Sequence, residues 1–128
     1  MSIAVTHGIK VVAKPRFEPR HSDAKAGHNV FNYSLTIVND IVQTVQLLRR
    51  HWFIFDPLMA PNEVEGPGVV GETPVIAPGE RYVYTSSCVL RGSIGRMHGN
   101  YLMMRTTDDL LFQVAIPEFV METPWSLN

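Results

Sequence analysis

Gly66-Pro67-Gly68-Val69-Val70-Gly71-Glu72-Thr73-Pro74-Val75-Ile76-Ala77-Pro78-Gly79 is the stretch on which the fold assignment turns. Its first six residues spell G-x-G-x-x-G, the pattern of dinucleotide-binding loops. Such a loop needs a helix directly after it, because helix N-terminal amides and the helix dipole hold the pyrophosphate. Pro74 and Pro78 follow Gly71 too soon for a helix of useful length, and after Glu80 no acidic residue appears until Asp108. The stretch therefore predicts a bare glycine turn between β segments. A second glycine cluster, Gly92, Gly95 and Gly99, predicts another set of tight turns.

On either side the apolar spacing is two. Asn29–Asn39 sets Phe31, Tyr33, Leu35 and Ile37 against Asn32, Ser34 and Thr36, so one face is inward and the other outward. His7–Phe17 predicts the first strand, ended by Pro15. Thr44–Phe55 predicts a strand whose phase breaks at Arg49-Arg50, where a bulge would re-aim the side chains and turn Trp52 and Ile54 inward. Asn62–Glu65 suits a charged sheet edge. Arg81–Val89 places Tyr82, Tyr84, Ser86 and Cys88 on one face. Arg96–Arg105 does the same for Met97, Gly99, Tyr101 and Met103. Leu110–Ile116 is the last strong strand, broken by Pro117, with a brief pairing over 118–121. Seven to eight short strands with frequent turns predict an all-β, immunoglobulin- or fibronectin-III-like antiparallel sandwich. A single domain over residues 1–128 is expected, with its core at about 5–122 and a tail over 123–128. In that tail, Trp125 either docks on its own domain or marks a contact with another chain.

The net charge of −1 offers no whole-molecule attraction to nucleic acid or anionic lipid. The charge is uneven: residues 1–30 carry five basic against two acidic residues, and the remainder six against ten. One cysteine, Cys88, excludes an internal disulfide and fits a reducing cytoplasm. No apolar run is long enough for a membrane helix, and the N-terminus lacks the form of a signal peptide. A soluble cytoplasmic protein without membrane insertion is the expectation.

Three kinds of chemistry can be set against these residues. In the first, the amides of Gly68, Val69, Val70 and Gly71 cup a small anion or nucleotide phosphate, with Arg81 or Arg96 supplying charge. Pro67 removes one amide from that loop. In the second, His98 with Asp108 or Asp109 holds Mg²⁺ or Co²⁺; solvated charge is the plainer reading of those acids. In the third, Ser86, Ser87 or Cys88 acts as nucleophile with His98 as base, although no third group is spaced to orient the imidazole. The residues that remain favour contact: the glycine loop (Gly66, Gly68, Val69, Val70, Gly71), with Arg81, Tyr84, Arg91 and Arg96, forms a candidate binding face.

The blocks G-P-G-V-V-G-E-T-P-V-I-A-P-G-E-R-Y-V-Y-T-S, G-R-M-H-G-N-Y-L-M and F-Q-V-A-I-P-E-F, with V-Q-L-L-R-R-H-W-F-I upstream, resemble the bacterial ApaG family. The resemblance spans roughly residues 5–122. It implies an immunoglobulin- or fibronectin-III-like sandwich and an association with cobalt resistance and magnesium efflux. It also implies genes that neighbour a diadenosine-tetraphosphate hydrolase. Similar domains in eukaryotic F-box and polymerase-delta-interacting proteins look like protein-contact modules. The family carries no agreed catalytic residues to transfer. The expectation is a non-enzymatic binding protein without cofactor, with an unidentified protein partner. Self-association to a homodimer through a bare edge strand is a further expectation.

Overall fold

The computed structural model describes residues 1–126. Among these residues nine strands form two antiparallel sheets. The first sheet runs β1 (Ser2–Thr6), β2 (Ile9–Phe17), β3 (Asn29–Asn39), β7 (Arg81–Leu90). The second runs β5 (Asn62–Pro67), β4 (Val45–Phe55), β8 (Ile94–Arg105), β9 (Leu111–Glu122). The two-residue β6 (Val75–Ile76) continues the β5 edge by pairing with Val45 and Gln46. The expected β-sandwich is what forms, and no helix follows the glycine loop.

Residues 2–6 correct the sequence reading of the N-terminus. His7 does not begin a strand. It and Gly8 have φ of 51° and 78°, the two left-handed residues of a type I′ hairpin turn between Thr6 and Ile9. Pro15 does not end β2, because β1 stops opposite Ala13 and leaves the strand beyond it on a sheet edge, where a missing N–H is tolerated.

Two bulges decide which side chains enter the core. In β4 the register with β8 shifts between Leu47 and Arg49. Before the shift Val45 and Leu47 point inward; after it Trp52 does, with Ile54 half-buried beside it. In β9, Pro117 and Glu118 together oppose His98. Pro117 therefore bends the strand without breaking it, and inward facing passes from Val114 and Ile116 to Phe119 and Met121. Proline is tolerated there because β9 is an edge strand and the residue lies in a bulge. Leu110 lies outside β9 and is exposed, so it does not share the buried face.

Between the sheets, Tyr33, Trp52 and Phe119 pack with ring centroids 5.3–5.9 Å apart. The sandwich closes along one side, where β9 packs on β1 and β2 and the Ala115 amide donates to Thr6 Oγ1 at 3.1 Å. Trp125 meets Phe17 edge to face at 5.3 Å, so it docks on its own fold. The last two residues of the expected tail, 127–128, lie outside the described residues.

Candidate functional site

On the opposite side the sandwich is open. A cleft of about 660 Å³ runs between the sheets there, with β7 along one wall and β4 and β5 along the other. This volume is within the roughly 300–1,000 Å³ usual for ligand sites. Tyr84, Ser86 and Cys88 line it from β7, Arg50 and Trp52 from β4, and Val64 from β5.

Arg50 enters the cleft because of the β4 bulge. Its neighbour Arg49 is turned outward and pairs with Glu65 at 3.6 Å. Arg50 Nη1 instead donates to the carbonyls of Pro67 and Gly68, at 2.9 and 3.1 Å. Gly66 admits this approach, since a Cβ there would sit 3.2 Å from Nη1. No carboxylate among the described residues lies within ion-pair distance of Arg50. Asp56, the acid that lines the cleft, accepts instead from the amides of Leu58, Arg91 and Gly92 at 3.0, 2.6 and 3.2 Å.

The glycine loop is a small hairpin at the cleft mouth. Gly68 N–H donates to Leu48 O at 2.8 Å, while Val69 and Glu72 exchange both backbone hydrogen bonds, at 2.8 and 2.9 Å. Val70 and Gly71 form its tip with φ of 48° and 78°. Gly68 is confined twice: its φ is 61°, and a Cβ would lie 2.2 Å from Glu72 O. This corrects the proposed anion cup. Of the four amides assigned to it, those of Gly68 and Val69 are already paired inside the protein. Val70 is an exposed β-branched residue held at positive φ, a strained arrangement of the sort that concentrates at functional sites.

The other expected site residues do not converge. Arg81 opens β7 opposite Val38 and is not part of the cleft wall. Arg91 contributes its backbone to the Asp56 turn. Arg96 lies over the Phe55 ring at 4.6 Å on the outward face of the second sheet. Of the polar side chains in the expected binding face, Tyr84 alone is in the cleft, its hydroxyl 2.6 Å from that of buried Tyr101. Arg50, which sequence reasoning missed as the charged group, carried one signal: the paired arginines at the break in β4's alternation.

The nucleophile–base arrangement is not assembled. Ser86, Ser87 and Cys88 line the cleft, but His98 stacks on Phe53 at 5.1 Å on the outward face of the second sheet. Burial pushes the Cys88 thiol up to about 11, with the Asp56 charge adding to the rise, so the nucleophilic thiolate is disfavoured. Burial likewise raises Tyr33, Tyr84 and Tyr101 above the ordinary phenol value. The metal set is not brought together either. His98 is seven residues along β8 from Arg105, and Asp108 beyond it is held by Arg105 and the Leu110 amide. Among the described residues no group of three His, Cys, Asp or Glu side chains is placed to hold a metal ion. Among the described residues no helix is long and apolar enough to cross a membrane.

Fold and site together define an antiparallel β-sandwich whose two sheets part along one side around a charged cleft. The family model of the ApaG domain (DUF525) matches residues 19–105. The chain is 47% identical over 121 residues to Protein ApaG of Afipia carboxidovorans, covering 94% of this chain and 92% of that protein. It is 43% identical over 128 residues to Protein ApaG of Anaeromyxobacter dehalogenans, covering all of both. A crystal structure described as the putative ApaA protein of Bordetella pertussis superposes with a TM-score of 0.87 at 38% identity, covering 92% of this chain and 95% of that one. The chain belongs to the ApaG family.

Proposed function

We propose that this chain is a non-enzymatic binding module that takes a segment of a partner protein into the cleft between β5 and β7. The observation that carries this reading is the cleft itself, with a half-buried arginine on its wall that no carboxylate among the described residues neutralises. Burying a charge without a counter-charge is unfavourable, so a surface that retains one suits an arriving group. The strained tip at Val70 stands at the same mouth. The nucleophiles in the cleft are separated from the expected base by an entire sheet, which favours binding over turnover. Two antiparallel sheets, β1-β2-β3-β7 against β5-β4-β8-β9, form a sandwich, an architecture that many cell-surface domains share, and by that fold-level analogy alone it suits a contact module. On this reading, the cobalt and magnesium association implied by the family resemblance runs through a partner and not through chelation by this chain.

A photo-crosslinking residue placed in turn at Ser87 and Val64, on the two cleft walls, and at Val5, on the distant β1 edge, tests this in native lysate. A discrete adduct from Ser87 and Val64 that is absent from Val5 is expected. The same adducts at all three positions, or none at the cleft, overturn the reading, as does turnover of a metabolite by the purified chain.

A further inference from the structure

The two strand edges that flank the cleft differ in one respect that bears on what can enter it. β5 reads N-E-V-E-G-P, with Glu63, Glu65 and Pro67 along its six residues. Charges and proline are the usual means of keeping a free edge from accepting another strand. β7 reads R-Y-V-Y-T-S-S-C-V-L, and from Tyr82 to Leu90 it has no charge and no proline. It pairs with β3 along its length, and its other edge borders the cleft. Its bonded neighbour therefore satisfies one row of backbone groups and leaves the other row available.

We infer that the cleft recognises an extended peptide segment that adds to the free edge of β7 and presents a carboxylate to Arg50. The inference rests on the binding-module reading and specifies the chemistry of its partner. Main-chain pairing with an exposed strand edge supplies affinity that does not depend on sequence, and alternate side chains supply specificity. Successive side chains of an added strand point to opposite faces, so every second one enters the cleft. There they face the opposite wall, from which Arg50 projects. Both hydrogens of Nη1 are engaged by Pro67 and Gly68. Nε and Nη2 have no acceptor among the described residues, which leaves two donors in the fork geometry that matches a carboxylate. Asp56 does not compete, because three backbone amides occupy its oxygens. Glu63 and Glu65 do not compete either, being paired outward with His51 and Arg49.

Selection of a phage-displayed library of random hexapeptides on the immobilised full chain tests the inference. Enrichment of Asp or Glu at one position, flanked by residues of high strand propensity, is expected. The enriched peptide made synthetically should bind about tenfold more weakly with Asn or Gln at that position, the usual worth of a charge-assisted hydrogen bond. The acidic preference should vanish on Arg50→Gln and survive in weakened form on Arg50→Lys, which keeps the charge without the fork. Because Arg50 also steadies the glycine loop, Ser86→Glu provides an independent variant: it leaves the loop tether intact and places a resident carboxylate in the cleft, and the preference should be lost there too. Amide shifts in the ¹H–¹⁵N spectrum on adding the peptide should fall on residues 82–90.

Enriched peptides without an acidic position overturn the inference, as does an acidic preference unchanged in both Arg50→Gln and Ser86→Glu. Shifts confined to residues outside the cleft overturn it as well. A β7–β7 dimer in solution, seen by native mass and protected β7 amides, would mean that a second copy occupies the edge, and would overturn it too. If position-specific adducts form at Ser87 and Val64 while no acidic preference appears, the inference falls and the binding-module reading stands. If neither appears, both fall.

Discussion

The hydroxyls of Tyr84 and Tyr101 meet at 2.6 Å inside the sandwich, joining β7 of one sheet to β8 of the other. Tyr101 is fully buried and Tyr84 nearly so. Each phenol is the other's hydrogen-bond partner, and neither could be desolvated cheaply alone. The contact fixes the separation of the sheets at the back of the cleft.

Removing either hydroxyl strands the other, so the two losses should not add. Tyr84→Phe or Tyr101→Phe is expected to lower stability by about 1–3 kcal/mol, since the surviving hydroxyl is left unsatisfied. The double variant should lose less than the sum of the two. Urea unfolding of the four proteins measures the coupling, and strict additivity would show that the two hydroxyls do not depend on each other.

Alkaline pH should destabilise the fold. The folded-state values of Cys88, Tyr33, Tyr84 and Tyr101 all lie above their ordinary ones, chiefly from burial. The unfolded chain therefore ionises first and is the form favoured as pH rises. Their contribution to stability is complete below the ordinary thiol value and is lost from there upward, through about 11 for Cys88, with the phenols adding to the loss above their ordinary value. Melting temperature followed from pH 7 upward should fall, with tyrosinate absorbance appearing together with unfolding. Tyrosinate of Tyr33, Tyr84 or Tyr101 forming in the folded protein at the ordinary phenol value would contradict this.

Val70 should be improvable. A β-branched residue at φ 48° carries left-handed strain, and Asn-Gly is the favoured pair for a type I′ tip. Val70→Asn is expected to raise stability by about 1 kcal/mol. Gly68→Ala should do the reverse by several kcal/mol, because it combines a left-handed φ with a clash on Glu72 O. Thermal denaturation of the two variants decides the signs.

Asp56 should prove structural in spite of lining the cleft. Asp56→Ala leaves the amides of Leu58, Arg91 and Gly92 without their acceptor, and a loss of about 2–3 kcal/mol is expected. Hydrogen exchange should quicken at Arg91 and Gly92 well before the fold opens globally. Unchanged exchange at those two amides would show that the turn does not depend on the carboxylate.

The sequence by itself determined that the chain is β throughout. Period-two alternation is a local property, and Pro74 and Pro78 exclude a helix after Gly71 wherever the chain is placed. It also determined which residues of β3 and β8 face inward, because those strands run without interruption. It did not determine the second half of β4 or of β9. A bulge of one residue reverses every side chain beyond it, and its position is set by the neighbouring strand. The alternation breaks at Arg49-Arg50 in the sequence, but the register against β8 sets the bulge at Leu48, with Arg49 outward and Arg50 in the cleft. Arg81, Asp108 and the Arg96–His98 face of β8 are near the glycine loop or one another in the chain, but they do not come together with the loop in one site. Pairing across a sandwich joins residues distant in sequence and puts strand neighbours on opposite faces. Which of these groups share a site is thus a property of tertiary structure.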